Sequence, residues 1–166
     1  DFVVVIDTSM SCSGDLVRCF LEETYDVLCQ SDSYFKKTNI HIIQCDEQVQ
    51  QDRLITNQEE MEAYMRDFTI IGQGGTDFRP AFEYVNGLIR QGAFRRLKGL
   101  LYFTDGEGIY PVKRPVYDTA FVFLKDQYTD ISVPAWAMKL ILEPEQLLEN
   151  SGGQSSGSKA AKDGPL

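Results

Sequence analysis

Histidine is almost missing from this 166-residue chain, and His41 is the only one. Without a second imidazole there is no H-E-x-x-H helix and no histidine-rich zinc centre, so a peptidase is not expected from this chain alone. The four cysteines, Cys12, Cys19, Cys29 and Cys45, show no C-x-x-C spacing, which argues against a structural zinc site. They fall on helix and strand patterns in a domain that needs no staples, so they read as reduced thiols and the compartment as cytoplasmic. Cys12 stands apart, because it lies inside the loop that becomes the candidate site below.

Positive charge is also scarce. Sixteen Lys and Arg face 25 Asp and Glu, for a net charge of −9, and an acidic surface does not suit nucleic acid or an anionic membrane. The one basic cluster, Arg90 to Lys98, is short and reads as solvation of a helix end and the turn after it. No apolar run approaches the roughly 20 residues needed to span a bilayer. No signal peptide stands at the start either, and the first residues already lie in a strand pattern, so the natural N-terminus is expected upstream. Glycine is thin where a dinucleotide site would need it. Only Gly14 follows the first strand, whereas G-x-G-x-x-G requires three.

Present instead, at the beginning, is DFVVVIDTSMSCSG. Its run from Phe2 to Ile6 is short, apolar and β-branched, and it reads as a strand buried on both faces. In an open α/β sheet the loop beyond such a strand's carboxyl end is where ligands bind. Asp7, Ser9 and Ser11 occupy that loop as D-x-S-x-S. One carboxylate and two hydroxyls are hard donors, suited to Mg²⁺, Mn²⁺ or Ca²⁺ rather than to zinc or copper. The same residue types cap helices and hold turns, so a purely structural role stays open for the triplet. Two further loops add donors of the same kind: Thr76 in GQGGTDF and Asp105 in LLYFTDGEG.

The remaining pattern alternates helix and strand. Apolar spacing predicts a helix over 14–30, a strand from Thr38 to Cys45, and an exposed edge strand from Val49 to Ile55 after the tight Asp46–Glu47 turn. A turn that short permits only an antiparallel pair. A helix from Gln58 to Phe68 is capped by Thr56 or Asn57, and Pro80 opens another that runs to about Gln91. Strands follow at Leu100 to Phe103, Ala120 to Leu124 and Ala135 to Leu142, with a short helix from Glu143 to Asn150. Asp77 reads as a helix cap, His41 as a core or face residue, and the loop GEGIYPVKRPVY as a lip beside the site. One domain spans 1–150, and 151–166 is a Ser/Gly-rich flexible polar tail. The fold expected is a three-layer α/β/α Rossmann-like sandwich of about six strands, mostly parallel with one antiparallel edge strand.

Asp7, Ser9, Ser11, Thr76 and Asp105 in this order resemble the metal-ion-dependent adhesion site (MIDAS) of von Willebrand factor A (VWA) domains. DFVVVIDTSMS, GGTDF, LLYFTDGEG and VPAWAMKLIL together are most similar to the VWA-like C-terminal domain of predicted bacterial metal-dependent peptidases. The resemblance implies the same fold, with the antiparallel strand third in sequence at the edge. It also implies Mg²⁺ or Mn²⁺ ligated directly by Ser9, Ser11 and Thr76, with Asp7 and Asp105 acting mostly through water. An acidic side chain of a protein partner would then complete the octahedron, at about 2.0–2.1 Å for Mg²⁺. The function implied is metal-dependent protein interaction without catalysis, in a regulatory or substrate-presenting part of a larger bacterial protein. A Mg²⁺-dependent hydrolase or phosphotransfer enzyme is the alternative, although the residue two after Asp7 is Ser9, not the second carboxylate of D-x-D. A VWA-like scaffold with an empty metal site is the other.

Overall fold

The computed structural model describes residues 1–9, 14–31 and 39–143. Ser11, Cys12, the proposed 144–150 helix and the 151–166 tail therefore lie outside the described residues. Within them the order is β1 (Phe2–Asp7), α1 (Gly14–Ser31), β2 (Ile40–Cys45), β3 (Val49–Ile55), α2 (Gln58–Arg66), α3 (Arg79–Arg90), β4 (Gly99–Phe103), β5 (Asp118–Leu124) and β6 (Met138–Leu142).

All six strands form one sheet in the order β3-β2-β1-β4-β5-β6. Every neighbouring pair is parallel except β2–β3, whose antiparallel ladder runs from Ile40 opposite Ile55 to Cys45 opposite Val49. The Asp46–Glu47 turn thus does what its length dictates. β1 lies between β2 on one side and β4 on the other, and the chain reverses its direction of travel across the sheet there. That makes the carboxyl end of β1 the topological switch point, where two loops part and leave a crevice.

Period-two alternation sorts the β1 side chains between two cores. Val4 and Ile6 pack with Phe20, Leu21 and Phe103 against α1, and Met61 and Met65 of α2 join that layer. Val3 and Val5 pack on the other side with Phe78, Phe82, Tyr102 and Phe121 under α3. Each of these side chains stabilises the fold by about 1.5–3 kcal/mol on leaving water. With helices on both faces, the sandwich has three layers.

The helix starts follow local chemistry. Asn57 accepts from the Glu60 N–H at 2.8 Å, while the Glu60 carboxylate accepts from the N–H and hydroxyl of Thr56, closing the first turn of α2. That helix ends at Arg66, two residues short of the expected Phe68. Pro80 sits in the first turn of α3, where its missing N–H costs nothing.

One correction concerns β6. The strand begins at Met138 rather than Ala135, because Pro134 opens a turn in which the Ala137 N–H donates to the Pro134 carbonyl. It is also the second edge of the sheet and an open one, with Met138, Leu140 and Ile141 each about half exposed. His41 is a buried residue, and its reason for being so is specific. Its Nδ1 lies 2.9 Å from Asp52 on β3, and the Tyr84 hydroxyl of α3 donates to the same carboxylate at 2.6 Å.

Candidate metal centre

Asp7 is the last residue of β1 and is buried to 1% exposure. Its Oδ1 accepts from the Ser9 N–H at 2.9 Å and from the Ser9 hydroxyl at 2.5 Å. Oδ2 accepts from the Thr104 hydroxyl at 2.6 Å. The β1–β4 register explains the last contact, since Ile6 stands opposite Phe103 and the next residues along are Asp7 and Thr104. Thr104 was legible in the sequence only as a strand end, and its part in the site depends on a pairing between residues 97 apart.

Thr76 arrives from the other direction. Its hydroxyl is in hydrogen-bond contact with that of Ser9, and the preceding glycine-rich loop is held in place by Asp46 at the end of β2. The Asp46 carboxylate accepts from the Gly74 N–H at 3.0 Å, the Gln48 N–H at 3.0 Å and the Gln50 side chain at 3.0 Å. Burial pushes this carboxyl up, but the donations from Gln50, Gln48 and Gly74 outweigh burial and hold it below the usual carboxylate range. Gly72 is required here. Its φ is +110°, and a Cβ on it would stand 2.7 Å from Asp46 Oδ2 and 3.0 Å from Thr8 Oγ1. The sequence marked the glycines of this loop but not the carboxylate that anchors them.

Asp105 lies in the loop directly after β4, with Oδ1 accepting from the Glu107 N–H at 3.0 Å. Gly106 turns the chain at φ +85°, and the Asp105 carbonyl accepts from the Thr129 N–H at 2.8 Å. Asp77 takes the Arg79 N–H at 3.0 Å and both ends of the Arg79 guanidinium; it ties the start of α3 from one residue before the cap position, which is Phe78 and carries no side-chain cap, instead of capping the helix as expected. The structure thus brings Asp7, Ser9 and Thr76 into one hydrogen-bonded set with Asp105 beside it, and Ser11 is outside the described residues.

Electrostatics set the character of this cluster. Burial raises the Asp7 carboxyl above its ordinary value. Donations from Ser9 and Thr104 pull the other way without reversing it, and the negative charge of Asp105 adds to the rise. A buried carboxylate repelled by a second one favours positive charge nearby. The donors are all hard oxygens, and among the described residues no three His, Cys, Asp or Glu side chains converge as metal ligands. Residues of this kind fit a hard divalent cation that relies on hydroxyls, and they fit a thiophilic or imidazole-seeking metal poorly.

A family profile described as VWA-like domain (DUF2201) matches residues 2–143. The chain belongs to this VWA-like family. No functionally curated protein matches it by sequence. Among solved structures, it is similar to proximal thread matrix protein 1 of the mussel byssus with a zinc-occupied MIDAS motif, at TM-score 0.65 and 13% identity over 89% of this chain and 44% of that one. The SpRpn10 VWA domain aligns at TM-score 0.55 and 13% identity, covering 96% of this chain and 98% of that one. A von Willebrand factor type A protein from Catenulispora acidiphila aligns at TM-score 0.58 and 16% identity, covering 90% and 40%. The VWA-like chain spans less than half the length of the mussel and Catenulispora proteins. At these identities the likeness is one of fold, and the VWA fold is a protein-interaction fold. No helix among the described residues is long and apolar enough to cross a membrane.

Proposed function

We propose that this VWA-like domain is a metal-dependent protein-interaction module. Ser9, Ser11 and Thr76 would hold Mg²⁺ or Mn²⁺ through their hydroxyls, with Asp7 and Asp105 contributing negative charge around it. The observation that carries this reading is the convergence of the Asp7 carboxylate with the Ser9 and Thr76 hydroxyls at the switch point of the sheet. The zinc-occupied MIDAS motif of the mussel protein supports it from outside. When bound, the cation would supply an electrophilic coordination position, and few direct anionic ligands leave it hungry for an acidic side chain of a partner.

Around that position the chain's own residues do the positioning. Thr104 and the Ser9 N–H fix the Asp7 carboxylate, and Asp46 fixes the loop that presents Thr76. The domain itself is read as non-catalytic, since no activated nucleophile accompanies the cluster among the described residues. It would serve as a regulatory or substrate-presenting part of a larger bacterial protein, possibilities that include a metallopeptidase. A cytoplasmic setting is in keeping with the free, buried thiols of Cys19 and Cys45.

Metal binding restricted to the folded state adds about 2.7 kcal/mol when free metal is 100 times its dissociation constant. Thermal melting with and without Mg²⁺ or Mn²⁺ should therefore show a metal-induced rise in wild type that Asp7→Ala and Thr76→Ala abolish. An equal metal response in all three proteins would reduce the cluster to structural capping, the scaffold reading with no metal function.

A further inference from the structure

A second feature of the molecule runs against its overall charge. Between α3 and the loop that follows the candidate metal centre lies a groove of about 460 Å³. Its lining carries four cationic side chains, Arg79, Arg90, Lys113 and Arg114, against one carboxylate, Glu83, in a chain where acidic residues outnumber basic ones by 25 to 16. Arg79 is held by Asp77 at 2.8 Å. Arg90, Lys113 and Arg114 enter no ion pair among the described residues.

The rest of the groove is apolar. Phe82 forms its buried floor, Pro111 and Pro115 shape the loop side, and Val112 and Val116 stand 98% and 89% exposed at the rim. Isolated exposed valines need no explanation, but two beside a cationic groove form a patch. The loop has a fixed base. The Phe78 N–H at the start of α3 donates to the Ile109 carbonyl at 3.1 Å, and Tyr110 donates to the Gly106 carbonyl at 2.9 Å. Gly108 sits so close to Phe78 and Thr76 that a Cβ there would be 2.7 Å and 2.8 Å from their side chains. Residues 112–116, by contrast, make no backbone hydrogen bond among the described residues, so their carbonyls and the N–H groups of all but Pro115 are available to an extended chain.

We infer that this groove docks an acidic peptide segment of a protein partner, with carboxylates facing Arg90, Lys113 and Arg114 and an apolar side chain packed on Phe82 and the two prolines. Charge complementarity selects that occupant. A concave floor of aromatic and proline surface suits an extended peptide rather than a flat membrane surface. The inference stands on the groove alone and does not need a metal.

The test is fluorescence anisotropy in chelator with the full chain and a short fluorescein-labelled peptide alternating glutamate and leucine. A lysine–leucine peptide and phosphatidylcholine–phosphatidylserine vesicles serve as competing probes. The glutamate–leucine peptide should bind, with affinity that falls as ionic strength rises. The exposed pair Lys113→Glu/Arg114→Glu should weaken binding about tenfold, and Val112→Ser should also weaken it. Arg53→Glu on β3 should leave it unchanged. The double variant should keep the metal-induced melting shift of wild type, so loss of the groove and loss of the metal site are told apart. Equal binding of the two peptides, no peptide binding, capture by vesicles instead, or indifference to the double charge reversal would overturn the inference.

Discussion

Two aspartates, one half-buried and one fully buried, are treated in opposite ways by this molecule. Asp52, on the edge strand β3, accepts from Tyr84 and meets His41 at Nδ1. Burial pushes its carboxyl up, but those hydrogen bonds and the His41 charge outweigh burial and lower it. Asp7, at the end of the central strand, also accepts hydrogen bonds, yet burial wins there and Asp105 adds repulsion. The contrast separates a half-buried carboxylate whose partners outweigh its burial from a fully buried one whose hydrogen bonds do not. The first is a structural tie between β2, β3 and α3, and the second belongs to the cluster proposed above to hold a cation.

The largest break in that comparison should come at Asp52. Asp52→Ala strips the acceptor from the Tyr84 hydroxyl and from buried His41, and should cost about 2–3 kcal/mol of stability in urea unfolding. It should leave the metal-induced melting shift untouched, and a lost metal response would mean that the two aspartates are not separable. A somewhat smaller loss, about 2 kcal/mol, is expected for Gly72→Ala, from its φ of +110° and the approach to Asp46. Here the metal response should shrink as well, because the loop that carries Thr76 is displaced. A full metal response in a destabilised Gly72→Ala protein would show that the Asp46 clamp does not position Thr76.

The finest discrimination is by pH in chelator. A lowered folded pKa means that Asp52 contributes stability above its unfolded value of about 3.9, and that this is lost as pH falls through the folded pKa. A raised folded pKa means the reverse for Asp7: its contribution is fully present below the unfolded value and is lost as pH rises through the folded pKa. Unfolding midpoints between about pH 3 and pH 7 should therefore shift in opposite senses. Asp52→Asn should flatten the acid loss of stability, and Asp7→Asn should raise stability towards neutral pH. Parallel profiles for the two variants would refute the contrast.

Much of the architecture was legible because it is local. The β-branched run at Phe2 to Ile6, the short Asp46–Glu47 turn and the proline opening α3 each act within a few residues. Asp7 and Ser9 stood out for a related reason, since small oxygen donors at the end of a buried strand are a compositional signal, and Thr76 stood out behind a glycine-rich turn. Thr104 was not, because its role comes from the β1–β4 register, and neither was Asp52 as the partner of His41, which depends on the antiparallel ladder. The Asp46 clamp escaped notice because a turn aspartate looks the same whether or not it holds another loop. At β6, apolar content suggested a longer strand, and the turn at Pro134 set the boundary instead.

Whether the Asp7 cluster binds a hard divalent cation can be read from a titration of Mn²⁺ followed by electron paramagnetic resonance. The free-ion signal should fall as wild-type chain is added, to a stoichiometric end point reversed by excess Mg²⁺, and should persist with Thr76→Ala or Asp7→Ala. Persistence of the free signal with wild type, or an equal fall with both variants, would contradict cation binding by the cluster.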